Sequence, residues 1–324
     1  MSTFRCLRIQ ILQPCQGRCR YCATHKKNRV FADLNREGHA DQVHRFYRDV
    51  VAHFKPQELF VSGGEPILLP GIGRLMADMA PHVSRIHFFT SYQYGAKRRQ
   101  RLDLEGMPWD KVVLTHTILY FHAQQWEHMS QGFPFPVYVE NMKELAKLAQ
   151  RKCYKFILNH PNAPEELAAF LDEIQPDESS TLRWKLMNQQ GGQGFNVAEI
   201  SKSRSEVRER LERWQEVVTE FRKRAKIPVD EHITGAEVLA GATGQADVES
   251  CPFRSRPEEL RFAFYRIKGG VPLLQYRFCP HFPSRFRYIH RVGQDTFESI
   301  QAAYSEGEYH RHCKRCRLQL YTAA

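Results

Sequence analysis

What this chain of 324 residues lacks narrows its reading first. No uncharged apolar run approaches the roughly 20 residues that a membrane-spanning helix needs. A signal peptide is not expected either, because Arg5 and Arg8 interrupt the early apolar run over residues 4–12. An even cysteine count is missing, and nine cysteines fit poorly with a fully paired secreted scaffold. Acidic excess is missing too: 47 Lys and Arg stand against 36 Asp and Glu, a net charge of +11. No RNA-binding signature is visible, and the basic residues do not interleave with aromatics as in a stacking platform. Wholesale disorder is excluded, since 42% hydrophobic residues can bury a full core. The expectation is a cytoplasmic protein in a reducing compartment, with thiols that bind metal and with no membrane or nucleic-acid partner.

What is present begins with positive charge, densest at 97–101, at Arg222, Lys223, Arg224 and Lys226, and over the last thirty residues. Such a balance suits an anionic substrate or nucleic acid, and equally suits solvated helix faces.

The apolar pattern then sets out a repeat. Residues 4–12 alternate as a strand and deliver the chain into a loop over 14–30. Residues 40–53 have helical spacing, with Val43, Phe46, Val50, Val51 and Phe54 on one face. Strands are predicted at 58–61, 85–90, 111–117, 154–158 and 182–187, and helices at 72–79, 138–150 and 164–174. The helix at 138–150 carries Met142, Leu145 and Leu148 on one face, and Pro164 opens the helix at 164–174. Six strand-then-helix units of about 30 residues imply a parallel sheet with helices outside it, too few to close an eight-fold barrel. Ligands of such sheets sit at the carboxyl ends of the strands. The Gly-rich stretch around 188–196 marks a boundary. A long charged helix over 203–225 follows, with Val207, Leu211, Trp214, Val218 and Phe221 as its stripe.

The stretch that organises the rest is Cys15-Gln16-Gly17-Arg18-Cys19-Arg20-Tyr21-Cys22. Three thiolates at these spacings can hold three corners of a 4Fe–4S cluster and leave one iron open. A zinc site would need a fourth ligand nearby, for which His25 is the nearest candidate. The spacing resembles the signature of the radical S-adenosylmethionine superfamily. There the open iron chelates the amino and carboxylate groups of the cofactor, and the aromatic before the last cysteine matches Tyr21. A second motif, Ser62-Gly63-Gly64-Glu65, directly follows the second predicted strand. It resembles the family's element that contacts the amino group of the cofactor's methionine, whereas alone it could be an ordinary strand-to-helix turn.

The resemblance implies an α/β fold, a partial (β/α)6 TIM-like barrel over residues 1–190. It also implies S-adenosylmethionine contacts from Thr90 and Ser91 at the end of the third strand, Thr115 ending the fourth, Asn159 ending the fifth and Met187 ending the sixth. Each of these is otherwise a polar strand terminus or, for Met187, core.

After a linker and long helix over 191–247, residues 248–324 hold Cys251, Cys279, Cys313 and Cys316. Two apolar runs around Gly269 and Gly270 read as a β-hairpin, and Thr296 opens a helix. A hairpin bracketed by cysteines, then a helix and C-x-x-C, resembles the Twitch form of the SPASM extension. That implies a second, auxiliary 4Fe–4S cluster, with a four-cysteine zinc site as the structural alternative. Cys6 and Cys153 are left over, expected as small buried residues at the amino-terminal ends of their strands.

The implied activity is formation of a 5′-deoxyadenosyl radical, with Cys15, Cys19 and Cys22 as the catalytic set. Hydrogen abstraction from a substrate carbon follows. Four auxiliary ligands leave no room for substrate, which points to net oxidation in the biosynthesis of a natural product or cofactor. It also points away from molybdenum-cofactor-type cyclisation. The implied partners are a small molecule, anionic if the basic balance serves it, or a peptide, and an electron donor such as flavodoxin or ferredoxin. The barrel beginning by Phe4 leaves no leader-binding domain, which favours the small molecule. Ribosomal-peptide maturation, radical epimerisation, and a metal-containing RNA-binding or RNA-modifying protein are the other readings.

Overall fold

The computed structural model describes residues 5–11, 39–118, 120–158, 164–186, 204–227, 259–268, 271–277 and 288–290. Strand β1 (Cys6–Ile11) buries alternate residues. Leu7, Ile9 and Ile11 turn to the helices, while Arg8 and Gln10 turn to the opposite face. Helix α1 (His39–Phe54) covers the first of these faces with Val43, Phe46, Tyr47, Val50, Val51 and Phe54. The Tyr47 hydroxyl also donates to the Gln10 carbonyl at 2.6 Å, fixing α1 on the strand.

The units then repeat. Strand β2 (Glu58–Gly63) leads to α2 (Ile72–Met79), and β3 (Arg85–Thr90) to the single turn α3 (Ala96–Arg99). Strand β4 (Val112–Ile118) leads to α4 (Ala123–Ser130) and α5 (Phe135–Ala146). Strand β5 (Arg151–Leu158) leads to α6 (Pro164–Ile174), and β6 (Ser180–Leu186) precedes α7 (Arg204–Ala225). Neighbouring strands from β1 to β6 pair in parallel and in sequence order. In-order pairing is that of an open (β/α) barrel; a doubly wound sheet reverses direction at a switch point.

Several expectations shift in detail. Helices α3 and α4 have no counterpart in the periodicity, and α4 starts at His122, whose Nδ1 accepts the Gln124 amide at 3.3 Å. Leu148 lies past the end of α5 and is exposed, not part of its buried face. Strand β4 continues to Ile118, so Thr115 lies within it and does not end it.

The hairpin is present as β7 (Glu259–Lys268) and β8 (Val271–Arg277), antiparallel, with β9 (Tyr288–His290) beside β8. It does not stand apart from the barrel sheet: β7 pairs with β1 in parallel, Cys6 opposite Glu259. The helix predicted from Thr296 lies outside the described residues.

Candidate functional site at the strand ends

The carboxyl ends of β1, β2 and β3 meet in a set of close contacts. Gly63 faces Ile11 in the parallel register. A Cβ on Gly63 would stand 1.9 Å from the Ile11 carbonyl oxygen. Only glycine lets the two backbones approach here, at the point where β1 hands over to the cysteine-bearing segment. Ser62 is half-buried and its hydroxyl donates to the Ile9 carbonyl at 3.4 Å.

Beyond Gly64, Glu65 is fully buried. Its Oε2 accepts the Ser91 amide at 2.7 Å and also the Ser91 hydroxyl. Burial pushes the Glu65 carboxyl above the ordinary carboxylate range, opposed by the donors of Ser91 and Thr90. The other oxygen, Oε1, has no hydrogen-bond partner among the described residues. A buried acceptor left in this way is costly, and a cationic donor would satisfy it.

The turn after β3 is held just as firmly. Thr90 Oγ1 accepts the Tyr92 amide at 3.2 Å. Tyr92 is buried with φ +58°, a left-handed conformation that a bulky residue adopts only when its surroundings enforce it. Asn141 on α5 supplies that enforcement, its Nδ2 donating to the carbonyls of Tyr92 at 2.9 Å and Tyr94 at 2.8 Å. Arg99 of α3 reaches Asn141 Oδ1 at 3.4 Å and Glu140 at 2.9 Å. Asn141, fully buried in the structure, was not among the sequence candidates; its only mark in the sequence is a polar residue among the apolar positions Tyr138, Met142 and Leu145.

Of the predicted site residues, the structure brings Ser62, Gly63, Gly64, Glu65, Thr90 and Ser91 to one end of the sheet. Thr115 is buried mid-strand on the face away from the helices, and its hydroxyl has no partner among the described residues. Cys15, Cys19, Tyr21, Cys22, Asn159, Met187, Cys251, Cys279, Cys313 and Cys316 lie outside the described residues. Cys6 is half-buried, its thiol donating toward Glu58 at 3.9 Å. Cys153 is buried as expected, but it lines the non-helical face, in register with Thr115 and Thr181. Among the described residues no helix is long and apolar enough to cross a membrane.

A scan of family models and a search of curated proteins return no match for the sequence. Solved structures do match. Streptococcus suis SuiB bound to S-adenosylmethionine aligns at a TM-score of 0.57 and 14% identity, covering 98% of this chain and 70% of that one. SuiB bound to precursor peptide SuiA aligns at 0.55 and 14%, covering 98% and 71%. At this identity the likeness establishes a shared fold.

Proposed function

We propose that this chain is a radical S-adenosylmethionine enzyme. One observation carries the reading. The segment bearing Cys15, Cys19 and Cys22 leaves β1 where Gly63 presses on Ile11, and the buried Glu65 is tied to Ser91 at the adjoining strand ends. The donor chemistry fits the group: three thiolates for a 4Fe–4S cluster, and the unpartnered Glu65 Oε1 for an ammonium. Held by these residues, a cluster and S-adenosylmethionine would supply one-electron reductive cleavage to a 5′-deoxyadenosyl radical, able to take a hydrogen atom from a substrate carbon.

The chain's own residues then have distinct tasks. Cys15, Cys19 and Cys22 would hold the cluster, and Tyr21 is a candidate for cofactor binding. The backbone of 62–64 and Glu65 orient the methionine end, and Thr90, Ser91, Thr115, Asn159 and Met187 are the candidates for the remaining contacts. Cys251, Cys279, Cys313 and Cys316 would fill every corner of a second cluster. That donor set suits an electron acceptor and so favours net oxidation, with flavodoxin or ferredoxin as the external reductant. This chemistry belongs in a reducing cytoplasm.

A peptide substrate is the second reading of the same site, favoured by the SuiB structure that holds a precursor peptide.

The test is anaerobic iron and sulfide analysis with a 5′-deoxyadenosine assay. Wild type should carry about eight irons and the Cys15/Cys19/Cys22→Ala triple variant about four, without 5′-deoxyadenosine. Zinc in place of iron, or no reductive cleavage by the reconstituted wild type, would refute the reading.

A further inference from the structure

The turn that ends β3 is built against local preference, and a side chain from another helix holds it there. Between Thr90 and Gly95 the chain runs Ser-Tyr-Gln-Tyr, with no glycine at the position that takes a positive φ. Tyr92 takes it, and its ring is anchored in the core, stacked on His116 and edge-on to Tyr138 at 6.2 Å. Its carbonyl accepts the Tyr94 amide at 3.1 Å, so the backbone doubles back within three residues. Strain kept in this way points to a role for what it positions.

Asn141 is the counterpart on α5. It is fully buried, and its surroundings admit one orientation of the side-chain amide. Two carbonyls, those of Tyr92 and Tyr94, face Nδ2, and the Arg99 guanidinium faces Oδ1. Both amide hydrogens therefore go to the turn, and the oxygen goes to α3, the helix that the turn leads into. Arg99 is held in its place by Glu140, the neighbour of Asn141.

The residue positioned by this arrangement is Ser91. It lies between the left-handed Tyr92 and Thr90, whose Oγ1 accepts the Tyr92 amide. Ser91 gives its amide and hydroxyl to Glu65 Oε2, and Oε1 stays a buried acceptor without a partner among the described residues. Relaxation of Tyr92 to a negative φ would carry Ser91 away, and Glu65 would lose the donors that fix which oxygen it offers.

We propose that Asn141 is a positioning residue for S-adenosylmethionine: by holding the carbonyls of Tyr92 and Tyr94 it keeps Ser91 on Glu65, and so sets the affinity for the cofactor's ammonium. The inference rests on the proposed function for the identity of that ligand, and on the geometry alone for the hold on Ser91.

Three changes test it in the full reconstituted chain. Asn141→Asp keeps the volume and discards both donors. Asn141→Leu discards every polar contact without burying a charge. Arg99→Met acts from a side chain 30% exposed, so the test does not depend on a core variant folding. Met142→Ala loosens the same helix from a buried position away from the turn and serves as the control. Hydrogen exchange read by mass spectrometry should quicken about tenfold over residues 89–95 in both Asn141 variants, with β2 unchanged. In the 5′-deoxyadenosine assay both should raise KM for S-adenosylmethionine about tenfold, the worth of one hydrogen bond to a charged group. Their kcat should stay within about twofold, with iron per chain unchanged. Arg99→Met should raise KM about threefold. Adding Ser91→Ala to Asn141→Asp should weaken binding no further, because both act through one contact.

Unchanged exchange over 89–95, an unchanged KM in the folded variants, additive losses in the double variant, or an equal rise in Met142→Ala would overturn the proposal. The two readings fail separately. A wild type that never cleaves S-adenosylmethionine refutes the function, while exchange over 89–95, which needs no cofactor, still decides the hold on Ser91.

Discussion

Ser91 donates both its backbone amide and its hydroxyl to a single oxygen of the buried Glu65, joining the loop after β2 to the end of β3. The pair makes Glu65 a brace, while burial holds its carboxyl back from ionising against the pull of the Ser91 donors. An unfolded glutamate loses its proton near 4.5, while the folded one keeps it to a higher pH. Above that point the folded state binds more protons than the unfolded state, so stability contributed by the neutral form is lost as pH rises through the folded pKa. Glu65→Gln lacks this titration. The melting temperature of wild type relative to Glu65→Gln should therefore fall as pH rises above 4.5, and a pH-independent difference would contradict the assignment. Ser91→Ala removes one donor and should cost about 1 to 3 kcal/mol in chemical denaturation. Both variants should weaken S-adenosylmethionine binding, read by equilibrium dialysis.

Gly63 and Gly95 form a matched pair for testing the contact between β1 and β2. A methyl on Gly63 meets the Ile11 backbone carbonyl, which cannot move without shifting the strand that leads to the cysteine segment. At Gly95 nothing lies within 4 Å and φ is −74°, so alanine fits without strain. Gly63→Ala should lose about 3 kcal/mol or more and should take up less iron on reconstitution. Gly95→Ala should stay within about 0.5 kcal/mol of wild type. Equal melting temperatures for the two variants would remove the argument that Gly63 is required for close approach.

The repeating units could be read in advance because each strand alternates cleanly and each long helix carries one apolar stripe, as in β1 and α1. The Gly-Gly-Glu motif was legible for a similar local reason: it sits directly after a strand. The brace around it was not. Asn141 contacts the Tyr92 carbonyl across 49 residues of sequence, and no local pattern announces such a bond. The positive φ at Tyr92 is equally silent, because the residue type argues against it. The parallel pairing of β7 with β1 sets Glu259 beside Cys6, from opposite ends of the chain, and the Gly-Gly turn that reveals the hairpin says nothing about where it docks.

The C-terminal cysteines allow a separate outcome to be stated for metal content. If Cys251, Cys279, Cys313 and Cys316 hold a second 4Fe–4S cluster, replacing all four with Ala should halve the iron of the reconstituted chain and leave zinc absent. Metal binding in such a small segment is also folding energy. The variant should therefore show new protease cleavage C-terminal to residue 248 while residues 1–190 stay resistant. One zinc per chain that disappears in the variant, with iron unchanged, would assign the structural zinc site instead.

His116 tests whether the aromatic core behind the sheet is as dry as its geometry implies. Its ring is stacked between Tyr92, with centroids 5.0 Å apart, and Tyr154, at 4.4 Å. Neither ring nitrogen has a hydrogen-bond partner among the described residues. Burial pulls its pKa down from 6.5 to about 3, and the Lys152 charge adds to the effect. As pH falls below 6.5 the unfolded chain takes up a proton that the folded chain refuses, so wild type loses stability toward pH 3. At neutral pH the ring still carries one N–H buried without an acceptor, a cost of about 1 to 3 kcal/mol. Phenylalanine keeps the stacking and discards both penalties. His116→Phe should melt at or above the wild-type temperature at pH 7, and its advantage should widen steadily by pH 5. A constant difference across that range, or a large loss at pH 7, would mean that the imidazole has a polar partner and that this part of the core is not dry.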